Sequence, residues 1–188
     1  MNKNLQRWMI IAMLTAIAVV VGWLESFVPV FIPGVRLGLA NVVILIMIYE
    51  FKFYEGLIAD IIRILVVALL RGTLLQPVFL MSLAGGMTSF FVMLGFSKIK
   101  VFTAVGTSVM GSIFHSLAQM IVAYLIISSV AVYYYLPFVI LLSLGTGIIS
   151  GFICDIYLSR SITSLYADVR KYPHKKEEIV IEEIENNN

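Results

Sequence analysis

The strongest constraint on this chain is a succession of apolar runs, most of them long enough to cross a membrane, which leaves little surface fit for water. A hydrocarbon core of about 30 Å takes roughly 20 helical residues to span, and Trp8–Val28 supplies the first such run. Pro29, Pro33 and Gly34 interrupt any helix, so Pro29–Leu39 reads as a loop. A short second span runs from Ala40 to Phe51; Glu55–Thr73, Pro77–Phe96, Phe102–Ile127 and Leu136–Leu158 follow as the third to the sixth. With 61% hydrophobic and 13% charged residues and a mean hydropathy of +1.01, the composition lies outside the soluble-globular range. The expected fold is all-α, a polytopic membrane bundle of about six transmembrane helices. Residues 1–165 form that domain, and 166–188 form a charged, solvated cytoplasmic tail.

The first run has a basic start, Lys3 and Arg7, as a signal peptide does. Its apolar stretch is too long and no small-x-small cleavage site follows, so it reads as a retained helix. The basic residues then orient the bundle, because Lys and Arg collect in short cytoplasmic segments. With the N-terminus inside, Lys3, Arg7, Lys52, Lys98, Lys100, Arg160, Arg170, Lys171, Lys175 and Lys176 are cytoplasmic, while Arg36 and Arg71 are outside. The ten-to-two ratio places both termini in the cytoplasm. Trp8 and Trp23 near opposite ends of the first helix, and Tyr133, Tyr134 and Tyr135 at the outer end of the sixth, suit the two interfaces.

Soluble-type chemistry is missing from the sequence, which has no P-loop, no Gly-x-Ser-x-Gly, no His-Glu-x-x-His and no aspartate-rich cluster. The last is what a prenyl transferase uses to hold magnesium against a diphosphate, so catalysis by this chain alone is not expected. Cys154 has no partner cysteine, and His174, the second histidine, lies in the tail, so neither a disulfide nor a metal site is expected. No cofactor and no nucleic-acid partner are expected either.

Polar residues inside apolar spans are expensive in lipid and point to a site or to an internal pairing. Arg63 lies well inside the third span with Asp60 at i−3 on the same face, which reads as an intramembrane ion pair or as part of a ligand or coupling site. His115 and Gln119, one turn apart, put one polar face at membrane depth in the fifth span, continued by Ser108, Gly111 and Ser112. Glu25, Arg36, Asn41, Arg71 and Gln76 collect at the outer ends, where arginines suit an anionic or polar ligand, or simply snorkel. Small residues at i, i+4 spacing, Ala12 and Ala16 on the first helix and Ser143, Gly147 and Gly151 on the sixth, let another backbone come close. Gly85 and Gly86 do the same on the fourth, or loosen it.

The stretch Pro33-Gly34-Val35-Arg36-Leu37-Gly38-Leu39-Ala40-Asn41 resembles the signature of a bacterial membrane family, heptaprenyl diphosphate synthase component I, also called the Gx transporter family. Arg63, Arg71-Gly72, Ser82-Leu83-Ala84-Gly85-Gly86, Ser108 with Gly111, and His115 with Gln119 extend the resemblance over roughly residues 8–160. The family is similar to the substrate-binding, or S, components of energy-coupling factor (ECF) transporters. That similarity implies a six-helix bundle, a first outer loop (here Pro29–Leu39) that caps the ligand, and an Ala-x-x-x-Ala pair, here Ala12 and Ala16, that packs on a coupling subunit. The expected role is therefore binding and transport of a small micronutrient or isoprenoid-like molecule from the outer face of the bacterial cell membrane. Separate ECF coupling and ATPase subunits would drive it, since the chain has no nucleotide motif. Arg36, Asn41, Arg71, His115 and Gln119 are the expected ligand contacts. The family's name implies an alternative, a non-catalytic accessory subunit that holds a soluble prenyl transferase at the membrane. A weaker third reading is a secondary carrier with Asp60, Arg63 and His115 as an ion relay.

Overall fold

A computed structural model describes residues 3–27, 38–99 and 101–160. Every regular element among them is a helix: α1 (Lys3–Glu25), α2 (Asn41–Glu50), α3 (Phe53–Leu70), α4 (Pro77–Ser97), α5 (Ala104–Ile127) and α6 (Ala131–Arg160). Most of the expected first loop, including Arg36, and the expected domain boundary and tail lie outside the described residues.

The helix ends follow local chemistry. Pro77 opens α4 at the position where its missing N–H has no intrahelical partner to lose. Thr103 caps α5 by accepting the Gly106 N–H at 3.2 Å. α3 stops at a Schellman turn: Gly72 takes φ +65°, its N–H reaches the Leu69 carbonyl at 3.0 Å, and the Thr73 N–H reaches that of Ala68 at 2.9 Å. The Arg71-Gly72 pair singled out in the sequence therefore ends a helix. The sixth helix starts at Ala131, five residues before the expected Leu136, so the three tyrosines lie within it.

Four of the six helices, α1, α4, α5 and α6, are long and apolar enough to cross a membrane. α3 is 18 residues long, about 27 Å at 1.5 Å per residue, and carries Glu55, Asp60 and Arg63 on its buried side. α2 has 10 residues, about 15 Å, half of what a full crossing needs. Its C-terminal end turns directly into α3, whereas Asn41 at its start meets Arg63, Ser89 and His115, residues near the middle of α3, α4 and α5. α2 therefore begins at mid-depth.

The bundle is apolar outside and mixed inside. Leu125, Leu141 and Phe152 are each 60% or more exposed, while Ser82, Ser89, Thr107, Ser112, Gln119 and Ser143 are buried. Water would penalise that surface, and lipid does not. Two apolar clusters fill the two ends of the interior. One gathers Val43–Ile48 of α2 with Ile11, Leu14, Phe90, Met93 and Cys154; the other gathers Met81, Met120, Ala123, Val132 and Val139 near the α5–α6 turn. A polar layer separates them. At the end that carries Lys52, Arg7 pairs with Glu55 at 2.7 Å and Tyr157 donates to Glu50 at 3.3 Å, tying α1 to α3 and α6 to α2.

Small residues bring α5 and α6 into backbone contact. A Cβ on Gly147 would stand 2.8 Å from the Cα of Val109, and one on Gly151 only 2.5 Å from that of Val105. Ser143 meets Ser116 hydroxyl to hydroxyl one turn further along. The stripe on α6 thus packs within the chain. Ala12 and Ala16, by contrast, are exposed on α1, on a face they share with Met9, Met13 and Val20.

Two substitutions on one helix test this packing. Gly151→Leu forces α5 and α6 apart and should lower stability by about 1–3 kcal/mol or more. Gly145→Leu, where a new Cβ would meet nothing within 4 Å, should leave the thermal unfolding midpoint in detergent unchanged or slightly raised.

Candidate functional site

At mid-depth five helices each contribute a polar group to one connected layer. Arg63 of α3 is its centre. Its Nη2 lies 2.5 Å from Asp60 Oδ1 one turn earlier, and its Nη1 donates to Asn41 Oδ1 of α2 at 3.2 Å. Asn41 then donates through Nδ2 to Ser89 Oγ of α4 at 2.9 Å and faces His115 Nδ1 of α5 at 3.5 Å. His115 Nε2 lies 3.1 Å from the Gln119 carboxamide. All of these side chains are buried, Asp60 and Gln119 almost completely.

The imidazole uses both of its ring nitrogens. A neutral histidine has one donor and one acceptor nitrogen. Asn41 Nδ2 faces Nδ1, and Gln119 Nε2 faces the ring Nε2, so both ring nitrogens are engaged and the tautomer sets which group donates in each pair.

Glu25, the last residue of α1, completes the layer from the opposite side. Its carboxylate accepts the N–H of Gly38 through Oε1 and that of Ala40 through Oε2, the latter at 3.4 Å. These backbone groups lie just before α2, where no intrahelical partner exists, and Glu25 is itself buried. A side chain of α1 thus satisfies the irregular backbone that leads into the half-length helix. Irregular backbone survives at membrane depth only when protein surrounds it.

Glycines make room for this crowd. A Cβ on Gly85 would stand 2.8 Å from Gln119 Cγ and 3.1 Å from two His115 ring atoms. One on the neighbouring Gly86 would stand 3.3 Å from Arg63 Nη2 and 3.4 Å from Asp60 Oδ2. The Gly85-Gly86 pair is the wall of α4 against which both halves of the network lie. Gly38, at φ +83°, turns the backbone beside Asn41 and His115.

Between these groups lies a small cavity lined by Glu25, Arg63, Ser82 and His115 together with the apolar Ile64 and Val67 and the small Gly22, Gly38 and Ala40. Its free volume, about 10 Å³, accommodates one water. Nearby hydrogen-bonding capacity is incompletely used: Arg63 Nε and both Asp60 oxygens have no well-directed hydrogen bond. Among the described residues no group of three or more His, Cys, Asp or Glu is placed to hold a metal ion.

Of the residues expected to contact a ligand, Asn41, His115 and Gln119 converge here, and the Asp60–Arg63 pair, expected as a separate feature, is part of the same network. Arg71 caps α3 two turns beyond Arg63 and makes no contact with this layer, and Gln76 is exposed, donating to the Gly72 carbonyl at 3.4 Å. Arg36 lies outside the described residues. Sequence reasoning missed Ser89 and the inward turn of Glu25. Ser82, Gly85, Gly86 and Ser89 fall on one helical face, a seven-residue spacing that marks Ser89. A carboxylate at the end of an apolar helix needs a partner, which marks Glu25.

The family model of heptaprenyl diphosphate synthase component I matches residues 14–157 of the chain, from mid-α1 to the last turn of α6. No curated protein and no solved structure matches it.

Asn41→Ala removes the acceptor of a buried Arg63 donor and the link between α2 and α4. It should cost about 1–3 kcal/mol, read as a lower unfolding midpoint in detergent. Arg71→Ala, outside the network, should change stability by less than about 0.5 kcal/mol.

Proposed function

The chain belongs to the heptaprenyl diphosphate synthase component I family, and on that footing we propose that it is a membrane-embedded binding subunit for a small polar molecule. The observation that carries this reading is the polar layer at mid-depth, with a cavity at the start of a half-length helix. Groups so costly to bury collect where a membrane protein handles a polar cargo, and interrupted helices whose ends face such a cavity recur in transport proteins. Asn41, Arg63, His115 and Gln119 are the groups that would hold the ligand. The chamber is too small for a prenyl chain, and Glu25, Arg63, Ser82 and His115 in its wall suit a small hydrophilic group.

On this reading the protein lies in the bacterial cell membrane with both termini in the cytoplasm. Lys52, Lys98 and Arg160 then mark the inner end, as the positive-inside rule requires. The ligand enters from the outer side. The apolar cluster around α2, with the Arg7–Glu55 and Glu50–Tyr157 contacts beneath it, blocks direct passage inward. Release therefore requires work by other proteins, the coupling and ATPase subunits that the likeness to S components implies. The exposed α1 face around Ala12 and Ala16 is where a coupling helix would pack.

The second reading, an accessory subunit of a prenyl transferase, is favoured by the family's own description. Its contact surface would be the inner end, where Phe53, Tyr54, Ile99 and Val101 are exposed. A soluble enzyme recruited there would act close to the bilayer into which its product partitions.

Gentle solubilisation of the tagged protein followed by identification of what co-purifies decides between them. Coupling and ATPase subunits are expected; recovery of a prenyl transferase alone overturns the transport reading. Mass spectrometry of small molecules retained by the wild type should find one whose occupancy falls at least tenfold in His115→Ala, and equal occupancy in the two proteins removes the chamber as the ligand site.

A further inference from the structure

We propose that the chamber takes a ligand bearing a small oxyanion, a carboxylate or phosphate-type group, and that the Glu25 carboxylate is a built-in occupant of the seat the ligand uses. The inference rests on reading the chamber as the ligand site and adds the chemical class of what enters it.

Three observations converge. The first is the seat itself. Gly38 at φ +83° and Ala40 in the right-handed region, with φ −63° and ψ −16°, curl the backbone so that their N–H groups point to one carboxylate. Successive N–H groups in such a curl form an anion-binding concavity, and the start of α2 adds the positive end of a helix dipole. The second is Arg63, 94% buried, which lines the same cavity and whose Nε has no hydrogen-bond partner. A spare donor on a buried guanidinium has unused capacity for an anion. The third is space: the cavity has room for about one water, so a larger group must displace a side chain. Glu25 is the side chain placed to leave. It ends α1, so its departure breaks no helix and moves its charge towards the bundle end.

The donors facing the seat select the ligand's sign. An anion that replaces the departing carboxylate keeps the buried charge unchanged and keeps the Gly38 and Ala40 donors satisfied. A cation would instead enter beside Arg63 and rely on a carboxylate whose two oxygens already accept backbone N–H groups. A neutral ligand that displaced Glu25 would leave the two N–H groups and Arg63 Nε with a weaker acceptor.

The test uses the sign of one mutational effect. Full-length protein in detergent is titrated with acetate, inorganic phosphate and methylammonium at constant ionic strength, with thermal unfolding as the readout, in wild type and in Glu25→Gln. Removal of the competing charge should tighten acetate or phosphate binding at least tenfold, and the two salts show which oxyanion geometry the seat prefers; methylammonium should shift neither protein. Weaker anion binding in the variant, a response to methylammonium, or no response to any salt overturns the proposal. If Glu25→Gln does not survive extraction, Glu25→Asp, whose shorter carboxylate fills the seat poorly, is titrated with the same expected direction. The two readings fail separately: cation preference alongside recovered coupling and ATPase subunits overturns the oxyanion seat alone, and anion preference without those subunits overturns the transport reading alone.

Discussion

The structure depends on satisfying polar groups at a depth where water is absent. Asn41 begins α2 in the middle of the bundle, and the backbone just before it has N–H groups that no helix turn can use. Glu25 accepts two of them, Asn41 Oδ1 accepts from Arg63, and Asn41 Nδ2 links α2 to Ser89 and His115. Arg63 in turn leans on Asp60. Each group answers a need created by another, so the half-length helix and the buried charges stabilise one another. Loss of one partner in such a network costs more than its hydrogen bond, because it leaves a desolvated group unmet.

The remaining architecture keeps this layer compact. Apolar side chains close it on both sides, with α2 itself the main body of one cluster. Glycine serves two distinct purposes. At Gly147 and Gly151 it lets two backbones meet, whereas at Gly85 and Gly86 it lets polar side chains from α3 and α5 lie against α4. The first arrangement holds α5 to α6, and the second lets the polar network pack against α4. The bonds at the Lys52 end fasten the same helices from below. On the proposed reading, these bonds and the apolar cluster lie where a direct passage to the inner side would have to open, so release falls to partner subunits.

How much of this was legible in the sequence depends on the range of the interaction involved. His115 with Gln119 and Asp60 with Arg63 are spaced i, i+4 and i, i+3, so helix geometry alone places each pair on one face. That α3 and α5 turn those faces toward each other, with Asn41 between them, rests on contacts across 22 and 74 residues of sequence. Asn41 and Arg71 look alike in the sequence, as polar residues near outer helix ends. The Schellman turn at Gly72 leaves Arg71 at the end of its helix, while the short α2 carries Asn41 to the centre.

The sequence by itself determined the helical membrane bundle and the family, because the run of apolar spans and the local motifs depend only on neighbouring residues and on the thickness of the bilayer. It also located the polar residues too costly to be accidental. Only the tertiary structure decided that the second span is a half-helix starting at mid-depth, that Glu25 turns inward to seat on Gly38 and Ala40, and that five helices share one polar layer. The physical reason is that a buried polar group must find a partner, and which partner it finds depends on how the helices pack.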